Sequence, residues 1–208
     1  MPRTLDVPDA DVGYLPDFLP AGLADALFAA LHAETRWSQH RVRLFGREHP
    51  SPRLSAWYGD PGARYRYSGQ TLIPLPWTAS LAGVRERVER FCGQPFDGVL
   101  LNLYRDGRDG MGWHSDDERE LGAEPSIASV SLGAARRFSL KHRTRRDVAP
   151  RSLVLEHGSL LWMRGATQQH WRHSIPKTRT PVGARLNLTF RAIACRSQMA
   201  SPGREVRT

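Results

Sequence analysis

The chain has 208 residues, enough for one domain with a real core, and carries 30 Lys and Arg against 21 Asp and Glu, a formal charge of +9. A surplus of that size points to a polyanionic partner. Two cysteines, Cys92 and Cys195, exclude a disulfide framework, and no stretch approaches transmembrane length, so no membrane partner is expected.

In chain order, residues 1–14 read as an N-terminal arm, with acids where a secretory signal needs an apolar run, so a cytoplasmic location is expected. Two helices are predicted next. "GLADALFAALHAE" puts Leu23, Leu27 and Leu31 on one face, and "SLAGVRERVERFCG" sets Leu81, Val84, Val88 and Phe91 at helical spacing with Gly93 as a stop. From Asp97 the pattern changes to short runs bounded by Gly, Pro or charge: "GVLLNLY", "SIASVSLG", "RRFSLKH", "RSLVLEH", "SLLWMRG", "QHWRHSI" and "RLNLTFRAI". These predict a compact antiparallel β-domain, a sandwich or jelly roll. Residues 196–208 read as a loose tail.

Strand alternation gives the polar residues meaning. In "ARLNLTFRA", Arg185, Asn187, Thr189 and Arg191 share one face while Leu186, Leu188 and Phe190 take the other. In "VLLNLY", Asn102 and Tyr104 likewise share a face, opposite Leu101 and Leu103. Two strands of a buried sheet that turn amides, a phenol and two guanidiniums to one side outline a pocket. The planar fork of arginine matches a carboxylate, so a small dicarboxylate suits it.

"NLYRDGRDGMGWHSDDERE" runs from the second of these strands through Gly107, Gly110 and Gly112 to His114 and Asp116. At i, i+2 this pair can bind one metal, and a third ligand must come from elsewhere. His32, His40, His49, His142, His157, His170 and His173 are the choices. Two histidines and a carboxylate on one face of an octahedron leave three positions open, as in non-haem Fe(II) oxygenases, where a bidentate 2-oxo acid and dioxygen fill them.

The segments "LNLYRDGRDGMGWHSDDERE", "PSIASVSLGAARRFSLKH", "LEHGSLLWM", "HWRHSIP" and "RLNLTFR", in that order, resemble the AlkB family of Fe(II)/2-oxoglutarate-dependent nucleic-acid demethylases. The similarity runs from about Leu15 to Arg191. The upstream stretch "LFGREHPSPRLSAWYGDPGARYRYSGQT" resembles most the branch that acts on duplex DNA. The resemblance implies a mainly β (α+β) fold, a double-stranded β-helix (jelly-roll) core with N-terminal helices packed on the sheet. It implies one dioxygenase domain over 15–195, with a nucleotide-recognition lid at about 40–75 and the jelly-roll core at 97–193.

It also implies the site. His114, Asp116 and His173 become the iron ligands, and no catalytic residue beyond them is expected. Asn102, Tyr104, Arg185, Asn187 and Arg191 fall on the 2-oxoglutarate positions, Arg185 at the distal carboxylate and Arg191 nearer the iron. The implied reaction consumes 2-oxoglutarate and O2, gives succinate and CO2, and hydroxylates an N-methyl group of a base such as 1-methyladenine or 3-methylcytosine, which is then lost as formaldehyde. The implied partner is alkylated nucleic acid, DNA ahead of RNA, met by a monomer in the cytoplasm or wherever the DNA lies. The same chemistry on methylated RNA, and a non-enzymatic nucleic-acid binder with a vestigial metal site, are the competing readings.

For substrate recognition the resemblance points to Phe45 as the wedge that fills the gap left by a flipped base, with Arg41, Arg43 and Arg47 around it for phosphates. The flipped base is expected to meet Tyr65 and Tyr67, which share a face, and to lie against His114. Ser68 and Asp117 offer polar contacts, and Arg53 is expected to pair with Asp117. A second basic stretch, "RRFSLKHRTRRDVAPR", is expected to hold the complementary strand through Arg136, Arg137, Lys141, Arg143, Arg145 and Arg146.

Overall fold

A computed structural model describes residues 3–44, 47–67 and 70–193, and for residues 42–44, 47, 66, 67 and 70 the backbone alone. Phe45, Ser68 and the tail at 196–208 lie outside the described residues.

The chain begins with strands β1 (Arg3–Thr4) and β2 (Asp11–Leu15), then helix α1 (Ala21–Glu34). Next come a hairpin of β3 (Arg41–Leu44) and β4 (Arg47–Pro50), strand β5 (Leu54–Gly59), and a second hairpin of β6 (Tyr65–Tyr67) and β7 (Gln70–Leu72). Helix α2 (Ala79–Cys92) leads into β8 (Gly98–Tyr104) and β9 (Met111–His114). The remaining strands are β10 (Ile127–Gly133), β11 (Arg136–His142), β12 (Arg151–Leu155), β13 (Ser159–Arg164), β14 (Trp171–Ile175) and β15 (Arg185–Arg191), with a one-turn helix α3 (Thr167–His170) before β14.

Both helices form where their apolar spacing places them. α1 buries Ala24, Leu27 and Leu31, and α2 buries Leu81, Val84 and Val88. Thr78 caps α2 by accepting the Leu81 amide, and Gly93 ends it at a φ of 68°, a left-handed turn that glycine adopts without penalty.

Two antiparallel sheets make the jelly roll. The larger has the order β1-β2-β13-β10-β15-β8-β5 and the smaller β12-β11-β14-β9. On the outer face of the larger sheet, Leu101, Leu103, Leu186, Leu188 and Phe190 pack under α1 and α2. A second apolar cluster joins Leu100, Ile127 and Met163 of the larger sheet to Phe138, Leu140 and Trp171 of the smaller one. The larger sheet is therefore covered on both faces, which is why every residue of β8 and β15 is buried.

Two boundaries differ from expectation. The stretch expected as an N-terminal arm contributes to the core: β2 pairs with β13 from Asp11↔Arg164 to Leu15↔Leu160, and Val7, Val12 and Tyr14 are buried. The expected lid at 40–75 is interrupted by β5, which pairs with β8 along Leu54↔Leu103 to Gly59↔Gly98 and closes the edge of the larger sheet. There a Cβ on Gly98 would run into the Trp57 ring, so the close packing of β5 on β8 needs glycine.

Candidate active site

Between the sheets, three side chains from two strands and one loop converge. β14 pairs with β9 so that His173 stands opposite His114, and the chain turns out of β9 to place Asp116 beside them. One ligand atom from each lies within 4.8 Å of the others. The rings of His114 and His173 are 4.2 Å apart at 62°, and Asp116 Oδ2 is 3.7 Å from His173 Nε2. His114 Nδ1 donates to the Gly112 carbonyl at 2.9 Å, which fixes the tautomer and leaves Nε2 with its lone pair inward. Burial lowers the His114 pKa and pushes His173 down to about 3, so both imidazoles stay neutral and available as donors. Burial alone would raise the Asp116 carboxyl; the charge and hydrogen bond of Arg191, together with the two neighbouring imidazoles, overcome it and hold the group ionised. Two neutral imidazoles and a carboxylate form the donor set of a facial Fe(II) site. His170 instead stacks on His142, and His157 accepts the Gly133 amide at 2.8 Å.

The adjacent pocket is lined by all five residues that the two strands were expected to contribute. Arg185 is fully buried, between Ser131, to which its Nη2 donates at 2.8 Å, and the Tyr104 ring, 5.2 Å from its guanidinium carbon. Burial pushes its pKa down to about 10, and its Nε and Nη1 meet no acceptor among the described residues. A buried guanidinium with unsatisfied donors is a costly arrangement unless an anion completes it. A carboxylate of 2-oxoglutarate fits that deficit.

Arg191, at the other end of β15, gives Nη2 to Asp116 Oδ1 at 2.8 Å, at the iron end as expected. Asn102 Oδ1 accepts from Arg53 Nε and Ser55 Oγ, each at 3.0 Å, so Nδ2 is the group it presents to the pocket. Asn187 lines the wall with its amide engaged by Ser129 Oγ, the Val130 carbonyl and Thr189 Oγ1.

The substrate residues are placed less as expected. Arg53 does not pair with Asp117: it is buried behind Asn102, and Asp117 takes Arg143 at 2.8 Å. Tyr65 has no exposed surface; its ring stacks on Trp57 with centroids 4.9 Å apart, and the Arg191 guanidinium carbon lies 4.9 Å from the same ring's centroid. A ring held that way is no open platform for a flipped base. Tyr67 falls in β6, where its backbone alone is described. In the second basic stretch, Arg136 is buried, donating to the Asp109 and Pro176 carbonyls at 2.9 and 2.8 Å, which ties the glycine loop to the end of β14. Arg145 pairs with Asp147 at 2.8 Å. Arg137 and Lys141 do face outward.

Two residues that sequence reasoning missed hold the metal loop. Gln168 on α3 is buried; its Oε1 accepts the Asp116 amide at 2.9 Å and its Nε2 donates to Met163 Sδ at 3.4 Å. Ser115 donates to the Trp171 carbonyl at 2.8 Å. Glu118 sits in the same buried corner as Asp116, Arg191 and Tyr65, and burial raises its pKa. No signal in the sequence marks Gln168, because the contact spans 52 residues.

The architecture and the ligand set are those of a 2-oxoglutarate-dependent Fe(II) oxygenase, and comparison with known proteins agrees. The 2OG-Fe(II) oxygenase superfamily profile matches residues 11–191. The DNA oxidative demethylase ALKBH2 of Mus musculus is 45% identical over 179 residues, covering 82% of this chain and 75% of that one. ALKBH2 of Bos taurus is also 45% identical over 179 residues, covering 82% of this chain and 64% of the relative, so the chain spans just under two thirds of that relative's length. The solved structure of OsALKBH1 superposes with a TM-score of 0.65 at 15% identity, over 92% of this chain and 100% of that one, a likeness of fold. The chain belongs to the 2OG-Fe(II) oxygenase superfamily and, within it, to the AlkB family.

Proposed function

We propose that this protein is an Fe(II)/2-oxoglutarate-dependent dioxygenase that repairs alkylated DNA by oxidative demethylation of N-methylated bases such as 1-methyladenine and 3-methylcytosine, with formaldehyde, succinate and CO2 as products. The observation that carries the reading is the pairing, in one pocket, of the His114, Asp116 and His173 donor set with Arg185, whose buried Nε and Nη1 lack an acceptor among the described residues. A vestigial metal site has no use for such a guanidinium.

Iron bound to the triad supplies the oxidising chemistry, with 2-oxoglutarate and O2 as cosubstrates. Everything else falls to the chain. Arg185 binds the distal carboxylate, Tyr104 and Asn102 orient the cosubstrate, and Arg191 fixes the charge and direction of Asp116. The apolar residues Leu100, Phe138 and Met163 exclude water from the pocket. DNA is preferred to RNA as the substrate because the ALKBH2 relatives are named as DNA oxidative demethylases. The protein acts as a monomer in the cytoplasm, or wherever the DNA lies. No helix among the described residues is long and apolar enough to cross a membrane.

Adding 2-oxoglutarate to the anaerobic protein with Fe(II) tests the site. A weak visible charge-transfer band is expected, and its absence at saturating concentrations of both would overturn the reading.

A further inference from the structure

The smaller sheet has a second face, turned away from the iron. In β11, Phe138 and Leu140 enter the core between the sheets, so Arg137, Ser139 and Lys141 point out. Ser139 stands opposite Ser152 of β12 and Ser174 of β14, Lys141 opposite Arg172, and Arg137 opposite Val154. A row of three serines thus crosses three strands, with Arg137 on one side of it and Lys141 and Arg172 on the other. None of the four strands of this sheet contains Asp or Glu.

β9 is the edge strand, and its Trp113 is one residue from the metal ligand His114, on the opposite face. Trp113 is 43% exposed, and the other large hydrophobics that stand exposed among the described residues, Ile73 and Val154, are aliphatic. The Lys141 ammonium lies 4.4 Å from the centroid of its ring. Beside Trp113 the surface is hollowed into a groove of about 290 Å³, lined also by Ser139, Ser174, Lys177 and the side-chain-free positions Gly110 and Gly112. A Cβ on Gly112 would meet nothing within 4 Å, so the groove is open there.

We propose that this groove is a second nucleic-acid contact, in which an unpaired base stacks on Trp113 while Lys141, Lys177 and the serine hydroxyls take the adjoining phosphate. Every base has a π-face that an indole can hold, and cations beside such a platform track the backbone. Phosphate meets donors on this face and no carboxylate of the sheet itself. The position suits a strand whose neighbouring base is delivered to His114 across the same edge. The inference rests on the reading that the substrate is nucleic acid.

The test is the fluorescence anisotropy of a labelled, undamaged single-stranded oligothymidine titrated with the full chain, free of metal, as wild type, Trp113→Ala, Trp113→Phe and Lys141→Gln. Trp113→Ala is expected to weaken binding roughly five- to a hundredfold, as loss of one base–aromatic stack does. Trp113→Phe should recover most of the affinity, and Lys141→Gln should make the salt dependence shallower. Because Trp113 is half exposed, its variants are expected to melt with wild type, and circular dichroism checks that. Wild-type affinity in a folded Trp113→Ala overturns the groove and leaves the nucleic-acid reading standing, and so does a change in self-association with oligonucleotide binding intact. If the wild type binds no oligonucleotide at all, the nucleic-acid reading falls and the groove with it.

Discussion

Arg191 and Asp116 form a buried ion pair, Nη2 to Oδ1 at 2.8 Å, that turns the other carboxylate oxygen toward His173. Taking away one partner of such a pair leaves an uncompensated charge, at about 3–5 kcal/mol. Arg191→Ala is therefore expected to lower the stability of the metal-free protein by that amount and to raise the 2-oxoglutarate requirement as well. A urea titration with an unchanged midpoint would contradict this.

Arg185 should behave in the opposite way. It is buried with unsatisfied donors, so Arg185→Met removes a cost and is expected to keep or raise the melting temperature of the cosubstrate-free protein. The same change should weaken 2-oxoglutarate roughly tenfold to a hundredfold, since a charge-assisted bond is worth about 1.5–3 kcal/mol. Iron binding should persist. Unchanged affinity for 2-oxoglutarate would remove the case for β15 as the cosubstrate wall.

His114→Ala, Asp116→Ala and His173→Ala are each expected to abolish 2-oxoglutarate turnover, whereas His170→Ala and His157→Ala keep most of it. The first three supply the converging donors; His170 stacks on His142 and His157 braces Gly133. Succinate release measures all five. A dead His170→Ala beside a working His173→Ala would reverse the assignment.

Gln168 acts on the metal through the Asp116 backbone. Gln168→Ala leaves that buried amide without its acceptor, and loss of such an outer partner typically costs ten- to a hundredfold in metal affinity. Titration with Mn(II) in place of iron reads this directly, and wild-type affinity would show that the Asp116 loop holds its shape unaided.

The two ligand histidines also set a pH dependence. His173 is pushed down to about 3 and His114 is lowered too, while in the unfolded chain each takes a proton near pH 6.5. Below 6.5 the unfolded state therefore binds more protons than the folded one. Stability of the metal-free protein is full above pH 6.5 and is lost as pH falls toward 3. Asp116, held below its ordinary value, acts in the same direction at lower pH. The urea midpoint should drop between pH 7.5 and 5, and less steeply in His173→Ala. A midpoint that stays level would mean that these imidazoles titrate normally.

Alternation made β8 and β15 legible in the sequence, because a strand between two apolar layers still shows its polar pocket face as Asn102, Tyr104, Arg185 and Arg191 every second residue. HxD marked two ligands, but His173 was separable from His170 only by family resemblance: whether a histidine faces in depends on its register against β9, a long-range pairing. For the same reason "DVGYL" was not read as a core strand, since its partner β13 lies far along the chain. Arg136 and Arg53 look like phosphate or carboxylate partners in sequence; each is long enough to reach inward, to backbone carbonyls and to Asn102. Charge runs do not record which side chains turn in.

Mass spectrometry reads DNA repair itself, on a duplex DNA oligonucleotide carrying one 1-methyladenine, incubated in air with the protein, Fe(II), 2-oxoglutarate and ascorbate, beside the single-stranded DNA and the matching RNA. Conversion of the lesion to adenine in DNA is expected, with formaldehyde and succinate released together, and none of it with His173→Ala. Turnover of 2-oxoglutarate with the methyl group left in place on every DNA form, or removed from RNA alone, would contradict it.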